Sequence, residues 1–183
     1  YIDELSVTGL TSNPTIFLHA LDKGDLYDDA IRRNSADGML GEALFFQLAI
    51  EDLRQAADLF RPVHDATGGM DGWASLEVSP LLANDTASTI RAAVELQREA
   101  QRPNLFIKIP GTAEGVPAIE ESIFRGVPIN VTLLFSREQY VAAADAYMRG
   151  IERRIAAGRD PAVGSVASIF VSRWDVAVKD KVG

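Results

Sequence analysis

The sequence predicts an α/β fold, a partial (β/α)8 TIM barrel, from three observations. Short runs rich in β-branched and apolar residues alternate with longer amphipathic stretches, the pattern of a parallel sheet covered by helices. No strand is followed by the G-x-G-x-x-G or Walker glycine pattern that usually announces a doubly wound nucleotide-binding sheet. Five strand candidates fill 183 residues, whereas a complete barrel takes about 250. The expectation is one domain over residues 1–183 with about five βα units. The barrel's first strand and last two strands are expected to lie outside this sequence.

In chain order, "YIDEL" reads as the last turn of a helix, and with no initiator Met the chain is expected to be a fragment of a longer one. The first strand is predicted at 6–10, "SVTGL". It breaks at "TSNP", where Pro14 has the fixed φ suited to the first position of a helix. Residues 22–70 form a long helical insert in which Leu40 to Phe60 repeats apolar residues at three- and four-residue spacing. The second strand is "GWASLEV", 72–78, followed by the helical "NDTASTIRAAVELQREAQ" with its Asn/Asp start signal. The third is "LFIKI", 105–109, and "GTAEGVPAIEESIFRG" connects it to the fourth, "PINVTLLF", 128–135. A helix from Ser136, a hydroxyl suited to capping, to Gly158 leads to the fifth, "GSVASIFV", 164–171.

Composition narrows the function. A net charge of −8 argues against binding to nucleic acid or an anionic membrane, so an anionic substrate would need locally placed cations. The absence of cysteine excludes disulfides, a thiolate nucleophile and Cys metal sites, and a reducing cytoplasm is the expected setting. No apolar stretch approaches the roughly 18 residues of a membrane span. His19 and His64 are far apart with no second ligand pattern nearby, and "DKGDLYDDA" lacks calcium-loop spacing and reads as solvated surface, so no metal is expected.

Polar residues inside the predicted strands are the candidates for chemistry, because a barrel interior is normally filled with branched aliphatics. Lys108 sits between Ile107 and Ile109 and therefore points opposite to both. If it points inward, desolvation should lower its pKa and free a neutral amine to attack a carbonyl. The competing reading is a strand-end lysine whose stem packs while its charge reaches solvent. Glu77 has the same anatomy in "WASLEVSP" and could shuttle protons or form a structural ion pair. Asn130 and Thr132 share a face two residues apart, Ser168 and Phe170 do likewise, and Arg173 follows as a candidate anion holder. Each alone also fits a structural role. Together they are polar groups at the ends of successive strands, as a barrel active site requires.

These residues also carry a family resemblance. "GLTSNPTIF" resembles the first signature of the transaldolase family, "NLFIKIPGTAEGVPAIEESIFRGVPINVTLLFS" its lysine-containing one, and "SVASIFVSR" its following strand. The resemblance implies a class I aldolase-type barrel that moves a dihydroxyacetone unit between sugar phosphates in the pentose phosphate pathway. It implies that Lys108 forms the Schiff base and that Glu77 acts as acid/base with Thr132 through a water. It further implies that Asn13, Asn130 and Ser168 hold the dihydroxyacetone hydroxyls, that Phe170 lies in the substrate site, and that Arg173 lies near the phosphate. No cofactor is implied, since the protonated imine is itself the electron sink. The fructose 6-phosphate aldolase branch is the alternative within the family. It typically carries Gln in place of Glu77 and Tyr in place of Phe170, so Glu and Phe here favour transaldolase. The long insert resembles bacterial transaldolases, some of them fused to a glucose 6-phosphate isomerase domain. The family's first-strand aspartate has no equivalent here, since Asp3 does not match it, and a main phosphate-binding arginine also falls outside the sequence. A second expectation follows: a noncatalytic piece that associates through open barrel edges.

Overall fold

The computed structural model describes residues 2–179 and 181. After α1 (Ile2–Leu5) and β1 (Leu10–Thr11) come three helices, α2 (Pro14–Asp22), α3 (Asp28–Ala36) and α4 (Gly41–Ala66). Strand β2 (Ala74–Glu77) is followed by a 3-10 turn at Pro80–Leu82 and by α5 (Thr86–Ala100). The remainder alternates: β3 (Leu105–Pro110), α6 (Gly115–Arg125), β4 (Ile129–Leu134), α7 (Arg137–Ala156), β5 (Ser165–Ile169) and α8 (Ser172–Val178). The strands are hydrogen-bonded in chain order, β1-β2-β3-β4-β5. A parallel sheet whose strands neighbour one another in sequence order, each joined to the next through helix, is the signature of consecutive βα units of a (β/α)8 barrel, of which the described residues form five.

The chain forms two compact units, the first from residues up to Pro80 plus Glu95–Ile107, the second from Leu81–Val94 plus the chain from Lys108 onward. In the first, β1 pairs in parallel with β2 in the register Leu10↔Ala74 and Thr11↔Ser75. The expected first strand at 6–10 is displaced toward its C-terminal end: Ser6 has φ 53 and cannot extend a strand. The core of this unit is the inner face of α4, with Leu48, Ile50, Leu53, Ala57 and Phe60 buried and packed on β2, where Ala74 and Leu76 are buried, together with the buried Leu105 and Ile107 of β3. Trp73 stacks on Phe106 with ring centroids 3.9 Å apart. Asn104, fully buried, donates from Nδ2 to the carbonyls of Ala57 and Gly72, both at 2.8 Å, tying α4 to the entry of β2. Gly72 must be glycine there: its φ is +79, and a Cβ would lie 2.3 Å from the His64 backbone nitrogen.

In the second unit β4 and β5 are parallel, and helices α6 and α7 pack together at Gly150, where a Cβ would lie 2.8 Å from the Glu120 carbonyl. The helices are also joined by ion pairs, Glu120 to Arg149 at 2.7 Å and to Arg153 at 3.1 Å, and Glu121 to Arg153 at 2.7 Å. Arg153 and Arg159 both lie over the Phe124 ring, at 4.2 and 4.4 Å from its centroid. Ser136 caps α7 as its hydroxyl position predicts, accepting from the Gln139 N–H at 3.2 Å. Ile109, Ile119, Ile123, Ile129 and Leu134 are fully buried between strands and helices.

Candidate active site

Lys108 lies in the body of β3, a strand buried at all six positions, and is itself 6 % exposed while Ile107 and Ile109 are 0 %. Lysine is rarely so deeply buried without a specific partner or purpose. At the end of the strand the Gly111 N–H donates to the Thr132 carbonyl at 2.7 Å, so β3 ends beside Thr132.

Asn130 and Thr132 on β4 are 4 % and 1 % exposed. The Ser168 hydroxyl donates to Asn130 Oδ1 at 2.8 Å, so the two predicted hydroxyl-holding residues form one hydrogen-bonded pair across neighbouring strands. The ladder runs regularly through Ile129↔Ser165, Asn130↔Val166 and Val131↔Ala167, then skips to Leu134↔Ile169. Two residues of β4 therefore oppose Ser168 alone: this is a β-bulge. Leu133, in the bulge, has φ 57, a left-handed conformation that costs a leucine about 1–2 kcal/mol. The alternation predicted over 128–135 thus holds up to Thr132 and fails after it.

Phe170 continues the ladder, its N–H donating to the Leu134 carbonyl at 3.0 Å, and its ring lies 5.4 Å from that of Phe135. Arg173, in the first turn of α8, is exposed with its guanidinium 5.3 Å from the Phe170 ring centroid. Trp174 Nε1 donates to the Phe135 carbonyl at 3.2 Å. The second unit thus brings Asn130, Thr132, Ser168, Phe170 and Arg173 together along two paired strands and the turn that follows them.

The remaining two predicted residues belong to the first unit. Asn13 is the N-cap of α2: its Oδ1 accepts from the Ile16 N–H at 3.0 Å, with Pro14 at the first helical position. The amide N–H2 group of Asn13 is not used by the cap and is a donor for a substrate contact. Glu77 is the last residue of β2 and half-buried. Ser12, beside the cap, is buried and donates to the Ser75 carbonyl at 2.8 Å.

Sequence reasoning missed several residues that shape these regions. Thr112 donates to the Ala83 carbonyl at 2.7 Å and accepts from the Gly115 N–H at 3.0 Å, fixing the loop after β3. "GTAEG" offered a hydroxyl three residues before a helical Gly, the one signal that could have found it. Phe135 lay inside the predicted fourth strand, but its placement depends on the bulge. The acidic run 22–30, read as surface, contains one residue that is more than that: Tyr27 donates a hydrogen bond to the Asp52 carboxylate. Among the described residues no group of three or more His, Cys, Asp or Glu could hold a metal ion, and no helix is long and apolar enough to cross a membrane.

A family model described as Transaldolase/Fructose-6-phosphate aldolase matches residues 1–183. The chain is similar to a transaldolase of Thermobifida fusca (strain YX), 47% identical over 182 residues that make up 99% of this chain and 50% of that protein. It is also similar to a transaldolase of Frankia alni, 48% identical over 97% of this chain and 49% of that protein. Transaldolase 2 of Streptomyces coelicolor is 43% identical over 99% of this chain and 49% of its own length. The chain spans about half the length of the relatives it matches.

Proposed function

Because the chain belongs to the transaldolase/fructose-6-phosphate aldolase family, we propose that the protein carrying it is a transaldolase, a transferase that moves a dihydroxyacetone unit from a ketose phosphate to an aldose phosphate. The observation that carries this reading is the burial of Lys108 between two fully buried isoleucines.

In this mechanism Lys108 Nζ attacks the C2 carbonyl of fructose 6-phosphate or sedoheptulose 7-phosphate, and water leaves to form a protonated imine. The bond between C3 and C4 breaks. Its electron pair moves into the imine to give an enamine, the C4 hydroxyl proton is removed, and an aldose phosphate departs. The enamine carbon then attacks the aldehyde of the acceptor aldose phosphate, and water releases the new ketose and the free lysine. Protonation steps at the imine fall to Glu77 with Thr132 through a water, as the family pattern assigns. Asn130 and Ser168, joined by their own hydrogen bond, hold the hydroxyls of the three-carbon unit, and Asn13 contributes its amide N–H2. The hydroxyl proton is taken by the aspartate that the resemblance places upstream of residue 1. Arg173 faces the phosphate, supplying the local cation that a chain of net charge −8 needs for an anionic substrate.

Phe170 supports transfer over free aldol cleavage, because a ring without a hydroxyl has no proton to give a released enamine. A cysteine-free chain suits a reducing cytoplasm. The test is to supply the natural full-length protein with fructose 6-phosphate and erythrose 4-phosphate. Carbon balance requires sedoheptulose 7-phosphate and glyceraldehyde 3-phosphate to appear together. Free dihydroxyacetone as the main product would instead identify an aldolase.

A further inference from the structure

The bulge in β4 exchanges two side chains between faces. Regular alternation would put Leu134 on the same face as Asn130 and Thr132 and would turn Phe135 away from them. The structure has the reverse arrangement. Leu134 pairs with Ile169, and a Cβ built on Gly111 would lie 2.4 Å from the Leu134 side chain and 3.4 Å from that of Val131. Val131 and Leu134, three residues apart, therefore share a face, and Leu134 is fully buried there. Phe135 falls on the opposite face, in line with Asn130 and Thr132, and its ring meets that of Phe170, 5.4 Å away. Phe170 is two residues beyond Ser168, which bonds Asn130 from the same face. Arg173 lies against Phe170 at 5.3 Å, and Trp174 beside it donates to the Phe135 carbonyl. The Phe135 N–H is also held, donating to Gln139 Oε1 at 2.8 Å, so this residue is anchored at both backbone groups.

We propose that Phe135 is a positioning residue for substrate phosphate recognition: carried onto the polar face of β4 by the left-handed Leu133, its ring fixes the Phe170 ring, which in turn aligns the Arg173 guanidinium. The proposal rests on the transaldolase reading, in which Arg173 faces the phosphate. An exposed arginine ordinarily samples many rotamers, and an aromatic ring fixed beneath it reduces what must be ordered when the anion binds. The bulge is conformationally costly and lies next to two buried polar side chains, where bulges commonly re-aim side chains.

The test compares Phe135→Leu and Phe135→Tyr with the parent in the natural full-length protein, using fructose 6-phosphate and unphosphorylated fructose as donors. Leucine keeps an apolar side chain and removes the ring, while tyrosine keeps the ring. F135L is expected to raise KM for fructose 6-phosphate about tenfold with kcat within about twofold, to leave kcat/KM for fructose unchanged, and F135Y is expected to match the parent. A merely structural role would lower both donors by one factor, and that result, or no change with either donor, overturns the proposal. A parent that turns over neither donor removes the transaldolase reading and the positioning role together. A parent that uses both donors, with no discrimination by F135L, removes the positioning role alone.

Discussion

The Ser168 hydroxyl donates to Asn130 Oδ1 across 2.8 Å, and the amide it fixes is 4 % exposed. A buried amide held at its oxygen presents its N–H2 donors in one orientation, which is what a hydroxyl-rich substrate needs. Ser168→Ala should raise KM for the ketose donor by about fivefold while Lys108 still forms its imine, since a net hydrogen bond of about 1 kcal/mol is at stake. A double-mutant cycle with Asn130→Ala, read in donor KM, should show a coupling of about 1 kcal/mol. Full additivity would contradict the pairing.

Asn104 holds two carbonyls from one buried nitrogen. Asn104→Ala leaves both without that donor and opens a void. The Ala57 carbonyl lies within α4, so its loss is partial. A cost of about 2–3 kcal/mol is expected in urea unfolding, with Asn104→Asp at least as severe because an acceptor would replace the donor.

Gly150 separates the effects of helix propensity and packing. Alanine gains about 1 kcal/mol in an exposed helix interior, but here its Cβ would sit 2.8 Å from the Glu120 carbonyl and the Ile123 Cβ. Backbone and branched side chain cannot both yield, so packing should win and Gly150→Ala should destabilise by about 1–2 kcal/mol. A rise in melting temperature would contradict this.

The carboxyls of Glu120 and Glu121 are held below the ordinary carboxylate range, the first chiefly by its hydrogen bond from Arg149, the second by that from Arg125. Their contribution to stability is therefore fully present above the ordinary pKa and lost as pH falls through the lowered one. Glu120→Gln should cost about 0.5–1 kcal/mol at pH 7, and the difference from the parent should shrink in urea titrations at acid pH.

At the alkaline end, Tyr27 is pushed up from its ordinary 10.0 to about 12, by burial first and then by its hydrogen bond to Asp52. The folded state keeps this proton when the unfolded state has released it, so stability falls as pH rises from 10 toward 12. Tyr27→Phe should flatten that part of the curve, and an unchanged alkaline slope would contradict the assignment.

The serial βα order was legible in the sequence because apolar runs and amphipathic stretches differ in period. Pro14 and Ser136 were legible because the chemistry of a helix start is local. Lys108 and Glu77 stood out because a charge in an apolar run breaks its pattern. What stayed hidden depends on other strands. The bulge arises from register against β5, and "NVTLLF" contains no glycine to advertise a positive φ, so the face of Phe135 could not be read from alternation. The start of β1 shifted because Ser6 is left-handed, a conformation serine does not advertise. The role of Asn104 could not be read from the sequence, since its partners at 57 and 72 are far away in it.

The central claim is a Schiff base on Lys108, and borohydride reduction in the presence of fructose 6-phosphate tests it most directly, with peptide mapping by mass spectrometry of the natural full-length protein. The account predicts a dihydroxyacetone-sized adduct on the peptide carrying Lys108, absent from Lys108→Met. A folded protein that gives no adduct, or carries one at another lysine, would contradict it.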